Sequence, residues 1–131
     1  MTVLIDTSAW IDYLRDAESP QADAVERALD DDEVGVTDAV VLEVLAGVVP
    51  SSFERHQALL RRGVVLRQRP WIDVTAAAEL YQMCRRAGET IRSLNDCLIA
   101  AIAIRHDVPV LHRDRDFDAI ARHADLQVVS A

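Results

Sequence analysis

Lysine is absent from this chain, and all 14 of its basic residues are arginine. Phosphoryl-transfer receivers and phosphatases with an aspartate nucleophile usually need a lysine near the site, so chemistry that requires a lysine is excluded. Glycine is also scarce. The four glycines form no glycine-rich loop, which argues against a nucleotide cofactor bound through such a loop.

Long hydrophobic runs are missing as well. The longest, residues 97–104, has eight residues, whereas a membrane-spanning helix needs about 20. The N-terminus lacks the basic start and long apolar stretch of a secretory signal. The two cysteines, Cys84 and Cys97, have neither metal-ligand spacing nor the pattern of a disulfide framework. We therefore expect a cytoplasmic protein with no membrane partner, in which Cys97 is a buried reduced thiol.

The charge balance is acidic, because 14 arginines oppose 22 aspartates and glutamates and give a formal net charge of −8. A generic nucleic-acid-binding protein is basic, so the overall charge argues against that class. If several of the acids bind a metal ion, however, much of the excess negative charge is local and partly neutralised.

Short apolar segments alternate with helical ones, and half of the 131 residues are hydrophobic. This alternation predicts an α/β fold in which a parallel sheet of about five strands has helices on both faces. We expect one domain spanning residues 1–131. The predicted strands are residues 2–5, 34–37, 64–66, 108–111 and 127–129. The predicted helices are one that opens near residue 7 and those at 21–32, 38–47, 52–62, 71–87, 93–106 and 117–123.

Polar side chains follow several of the predicted strands. Asp6 comes directly after the first strand, and Thr37 and Asp38 come after the second. Asp114 and Asp116 come just after the fourth. Ligands of parallel sheets bind outside the carboxyl ends of the strands, so this edge is where we expect a functional site.

Local structural roles compete with a functional role for three of these acids. Asp6 has the position of a helix N-cap. Asp96 has the spacing of a capping box with Ser93, and the sequence leaves open whether its helix begins at the functional edge. Asp116 has the position of an N-cap for a helix that begins at Phe117.

Glu43 has no cation among its helical neighbours. The residues three and four positions away are all small or apolar, so a buried Glu43 would be an unpaired and costly carboxylate. A solvated glutamate at the helix edge, or one paired with a distant arginine, is the alternative. The neighbours are Ala39, Val40, Ala46 and Gly47.

Acids that converge on one pocket need a positive partner. Two like charges about 4 Å apart repel by roughly 4 kcal/mol at an effective dielectric constant near 20. Carboxylate oxygens without histidine or cysteine ligands favour Mg²⁺, with Mn²⁺ as a substitute. Such a site suits phosphoryl chemistry, because the ion activates water and stabilises the charge that develops.

Four segments of the chain, in this order and spacing, resemble the PIN-domain nucleases and specifically the VapC toxins of bacterial VapBC toxin–antitoxin pairs. They are residues 5–10, 41–47, 93–101 and 112–117. The resemblance implies an α/β/α sandwich with metal ligands at Asp6, Glu43, Asp96 and Asp114. Asp116 matches a position that is less uniformly a ligand. The resemblance also implies supporting roles for Thr7, Ser8 and Asn95. His112 stands where relatives commonly carry threonine or serine, and we expect it to be packed or solvated.

The resemblance further implies an endoribonuclease that cleaves RNA with metal-activated water and acts as a homodimer. A cognate VapB-like antitoxin would inhibit it by covering the acidic groove, and a basic antitoxin tail would be attracted to the acidic surface. RNA phosphates could be bound by arginine pairs. A non-catalytic PIN-fold module that binds RNA or protein is the alternative function. The arginine pairs are Arg61/Arg62, Arg85/Arg86 and Arg113/Arg115.

Overall fold

Four short parallel strands form the centre of the fold, which the computed structural model describes for residues 1–129. They are β1 (Val3–Ile5), β2 (Val34–Val36), β3 (Val64–Val65) and β4 (Val110–Leu111), in the spatial order β3-β2-β1-β4. β1 pairs with both β2 and β4. The predicted α/β fold with a parallel sheet is therefore confirmed.

The predicted fifth strand at residues 127–129 is reduced to one bridge between Val110 and Val128. The Val110 amide donates to the Gln127 carbonyl at 3.0 Å, and the Val129 amide donates to the Val110 carbonyl at 2.9 Å. β4 is only two residues long, so its outer edge offers room for little more than one pairing. The sheet of the described residues thus has four strands and not five.

Seven α-helices surround the sheet in the described part of the chain. The predicted helices are all present, with ends that differ by one or two residues. A 3₁₀ turn, Pro50–Ser52, precedes the fourth helix. The helices are α1 (Thr7–Leu14), α2 (Pro20–Asp30), α3 (Asp38–Ala46), α4 (Phe53–Leu60), α5 (Ile72–Arg86), α6 (Leu94–His106) and α7 (Arg115–His123).

Polar side chains directly before α2 and α3 cap these helices and so fix where they begin. The Ser19 hydroxyl accepts from the Ala22 amide at 3.0 Å and starts α2, with Pro20 at the first helical position. The Thr37 hydroxyl accepts from the Val40 amide at 3.2 Å and starts α3 directly after β2. The Thr37 cap turns the chain back across the sheet immediately after β2, whereas the Ser19 cap begins α2 after the loop that follows α1.

The helices form two packed groups that flank the sheet. In one group α1 packs on α2 and α3, and in the other α5, α6 and α7 pack on one another. Trp10, Phe117 and both cysteines are fully buried between the layers, and burial raises the pKa of Cys97 to about 12. Cys97 is thus a buried free thiol, as predicted. None of the helices in the described residues has the length and apolar character needed to cross a membrane.

An ion pair between a buried aspartate and a half-buried arginine ties the start of α5 to the end of α6. The Asp73 side chain is 1% exposed and receives two hydrogen bonds from the Arg105 guanidinium, at 2.7 and 2.9 Å. It also accepts from the Arg69 amide at 2.6 Å. The hydrogen bonds from Arg105 lower the pKa of Asp73, so the carboxylate stays charged and paired.

Candidate active site

Asp6 both caps a helix and faces the functional edge. It follows β1, is 3% exposed, and accepts from the Ser8 amide at 3.1 Å and from the Ser8 hydroxyl at 2.6 Å. The same hydroxyl accepts from the Arg113 amide at 2.9 Å. Ser8 therefore joins the end of β1 to the loop after β4.

Asp96, Asp114 and Asp116 converge at this edge. One carboxylate oxygen from each lies within 4.8 Å of the other two. Asp96 is 6% exposed, and its Oδ2 is buried with no hydrogen-bond partner. The capping box proposed for Asp96 does not form, because the Ser93 side chain makes no capping hydrogen bond. The N-terminus of α6 instead delivers Asp96 to the other two acids.

The loop after β4 holds the other two acids in place. Asp114 caps α7 by accepting from the Asp116 amide at 3.0 Å, so the expectation that Asp116 is the cap is wrong. The helix begins two residues earlier than predicted for this reason. Asp116 is 2% exposed and accepts from the Arg92 amide at 3.0 Å, which directs it inward.

Burial and mutual repulsion give these acids unusual proton affinities. Burial is the largest cause that raises the pKa of Asp96 to about 9, and the negative charges of Asp6 and Asp114 add to it. Burial also raises the pKa of Asp6, although its hydrogen bonds with Ser8 oppose the shift. A cluster of this kind holds a proton at neutral pH unless a cation replaces it.

The PIN domain family matches residues 3–123. A VapC ribonuclease of Mycobacterium bovis and ribonuclease VapC11 of Mycobacterium tuberculosis are each 44% identical over 131 residues, covering 98% of this chain and 98% of the relative. The chain belongs to the PIN-domain family of VapC ribonucleases.

Solved structures share the same fold as this PIN domain. A chain of VapBC2 from Rickettsia felis, bound to a promoter DNA fragment, matches with a TM-score of 0.74 at 18% identity, covering 98% of both chains. VapBC-1 from nontypeable Haemophilus influenzae matches with a TM-score of 0.73 at 21% identity, covering 99% of this chain and 98% of that chain.

Glu43 lies on the exposed side of α3, and the buried, unpaired carboxylate considered from the sequence is not observed. Its Oε1 accepts from the Asn95 amide group at 2.7 Å and from the Thr7 hydroxyl at 3.2 Å. Since Thr7 and Asn95 each adjoin an acid of the PIN site, they link Glu43 to Asp6 and Asp96. Glu43 thus borders the cluster of three close carboxylates without being part of it.

His112 is packed beneath the site. It is 8% exposed, and its ring lies 5.1 Å from the Phe117 ring, centroid to centroid. Its Nδ1 accepts from the Asp114 amide at 3.1 Å, while its Nε2 lies 3.3 Å from an oxygen of Asp118. Both ring nitrogens therefore have partners, and the ring supports the loop that carries Asp114.

Arg92 is a site residue that the sequence reasoning missed. Its guanidinium lies 3.3 Å from Asp114 Oδ1 and 3.7 Å from Asp116 Oδ1. The sequence feature that could have identified Arg92 is its position four residues before Asp96, because no other arginine is as near to Asp96 in the sequence. Among the arginines expected to bind phosphate, Arg113 forms an ion pair with Asp12, in which Arg113 Nη1 lies 2.7 Å from Asp12 Oδ2.

Proposed function

We propose that this chain is a Mg²⁺-dependent endoribonuclease and the toxin of a toxin–antitoxin pair. The observation that carries the proposal is the buried Asp96 Oδ2, which has no donor and lies beside the carboxylates of Asp114 and Asp116. A buried polar oxygen without a partner is unfavourable unless a ligand satisfies it. Membership of the VapC ribonucleases supports cleavage of RNA as the reaction.

The residues present fit a divalent cation. All the candidate ligand atoms are carboxylate oxygens, which suit Mg²⁺ or Mn²⁺ and not a softer metal. Asp96, Asp114 and Asp116 would hold the ion. Asp6 is proposed as a further ligand because its negative charge acts on Asp96, and Glu43 lies at the border. When bound, the ion would lower the pKa of water and stabilise negative charge on the phosphate.

The protein groups around the ion would hold the ligands in place. Ser8 fixes Asp6, the α7 cap fixes Asp114, and the Arg92 amide fixes Asp116. Such partners orient ligands and so contribute to metal affinity. Thr7 and Asn95 orient Glu43, which places a further carboxylate at the rim where the phosphodiester would approach.

We also propose a VapB-like antitoxin as the partner, and a homodimer as the assembly in the cytoplasm. The VapBC descriptions of the structural neighbours support a toxin–antitoxin partnership. A mainly apolar groove of about 360 Å³ beside α1 and α3 reaches Glu43. The net charge of −8 favours a basic antitoxin segment that follows this groove to the acids. The apolar part of the groove is lined by Ile11, Leu14, Val44, Val48 and Val49.

The decisive experiment measures cleavage of total cellular RNA by the purified protein with and without Mg²⁺. Wild type should cut only with the ion. Asp6→Asn should remove cleavage and leave the circular dichroism spectrum unchanged, because it deletes one ligand and lowers the repulsion. Asp30→Asn is the matched control, since Asp30 is an exposed acid at the C-terminal end of α2 with no polar side-chain partner among the described residues.

Two results would contradict the proposal. Cleavage by Asp6→Asn at the wild-type rate would remove Asp6 from the mechanism. Binding of RNA by wild type with no cleavage at any divalent-ion concentration would establish the non-catalytic binding module instead. Sequencing of the cut ends would also identify the RNA target.

A further inference from the structure

Arg92 occupies an unusual place between two helices. It lies in the segment between α5 and α6, next to Ile91, which is 5% exposed and anchors the segment in the core. The Arg92 amide donates to Asp116, so its backbone is part of the acid cluster. Its side chain is 57% exposed and reaches back over the carboxylates from the solvent side.

The guanidinium is the cation that balances the acids. It contacts Asp114 at 3.3 Å and Asp116 at 3.7 Å, which are two of the three clustered carboxylates. Among residues 1–129, no other arginine or histidine forms an ion pair with any of the three. A divalent cation bound by these oxygens would lie close to the positively charged Arg92 guanidinium. The two cations would repel each other.

We propose that Arg92 is a built-in counter-ion that competes with the divalent cation and so sets the metal affinity of the site. This inference rests on the proposed function. Without metal, the guanidinium holds Asp114 and Asp116 together. When metal binds, the side chain turns outward into solvent, which is easy for a side chain that is already half exposed.

The backbone contact explains how the acids stay in place when the side chain leaves. The hydrogen bond from the Arg92 amide to Asp116 Oδ2 at 3.0 Å does not depend on the guanidinium. The Asp114 cap of α7 is likewise independent of it. The cluster can therefore exchange one cation for the other without refolding. Arg92 is a positioning residue in this scheme and not a catalytic one.

The test is the affinity of the metal-stripped protein for Mn²⁺, measured by isothermal titration calorimetry and by electron paramagnetic resonance of the free ion. Arg92→Gln keeps the backbone amide and removes the charge, and it should bind Mn²⁺ about two- to tenfold more tightly than wild type. Arg92→Lys keeps the positive charge but loses the planar guanidinium. Its Mn²⁺ affinity should lie between those of wild type and Arg92→Gln.

Arg122→Gln is the matched control. Its side chain is 58% exposed and also pairs with an acid, Glu89, but this glutamate lies outside the cluster. Its Mn²⁺ affinity should equal that of wild type. Unchanged or weaker binding by Arg92→Gln would overturn the competition, even if wild type binds Mn²⁺ well. Absence of Mn²⁺ binding by wild type would instead overturn the metal site itself and the competition with it.

Discussion

Replacing Asp96 with asparagine tests the electrostatics of the site directly. In the metal-free protein the pKa of Asp96 is raised from 3.8 to about 9, chiefly by burial. The folded protein therefore keeps a proton on this carboxyl at neutral pH, whereas the unfolded chain releases it. Asparagine has almost the same shape as the protonated acid but has no proton to release in either state.

The sign of the pH effect follows from the raised pKa. Since the native pKa lies above the unfolded one, the stability linked to this proton is complete below about pH 4. It is lost as the pH rises towards 9. One proton of difference corresponds to about 1.4 kcal/mol per pH unit. The free energy of unfolding of wild type should thus fall relative to Asp96→Asn by up to about 4 kcal/mol between pH 5 and pH 8.

The assay is urea unfolding of both proteins in EDTA, followed by circular dichroism at half-unit steps from pH 5 to pH 8. Other titrating groups, including Asp6, are common to both proteins, so the difference between the two curves reports the proton that Asp96 holds among its acidic neighbours. The stability gain of Asp96→Asn should grow steadily with pH. Parallel curves across this range would refute the argument, because they would mean that Asp96 titrates normally in the folded protein.

Two further predictions concern other parts of the molecule. Asp73→Ala leaves the half-buried Arg105 guanidinium without its carboxylate and should lower the free energy of unfolding by about 2–3 kcal/mol, measured by urea unfolding. A loss below 1 kcal/mol would show that the pair is not stabilising. Asn95→Ala removes the 2.7 Å hydrogen bond to Glu43 and should slow single-turnover RNA cleavage by about tenfold or more with an unchanged melting temperature. A wild-type rate would show that the orientation of Glu43 does not matter.

The strand ends were the most informative part of the sequence. A buried apolar strand followed at once by an acid predicts both a turn of the chain and a place at the carboxyl edge of the sheet. Asp6 and Asp114 lie there in the structure, each as a helix cap. The parallel sheet follows from the same alternation, because parallel neighbours need a helical crossover between them. The spacing of residues along the chain was sufficient to predict the parallel sheet and the acids at its strand ends.

Tertiary packing alone decided which acids meet. Asp96 lies on a helix that runs into β4, so its distance from Asp6 depends on how α6 packs across the sheet and not on any local pattern. The capping box was a reasonable local alternative for it, and the packing excluded that alternative. Asp116 matches a position that is less uniformly a ligand, yet the Arg92 amide directs it into the cluster.

Glu43 and Arg92 both have polar partners that the sequence alone does not reveal. From its apolar neighbours Glu43 could have been buried, but the path of α3 leaves it at the rim, where Asn95 reaches it across 52 positions of sequence. Arg92 had no visible partner in the sequence because the acids it contacts follow 22 and 24 positions later. The sequence by itself determined the elements and the strand-end acids, since these depend on local spacing. The cluster and its counter-ion required the fold, because Coulomb energy depends on distances in space that only packing sets.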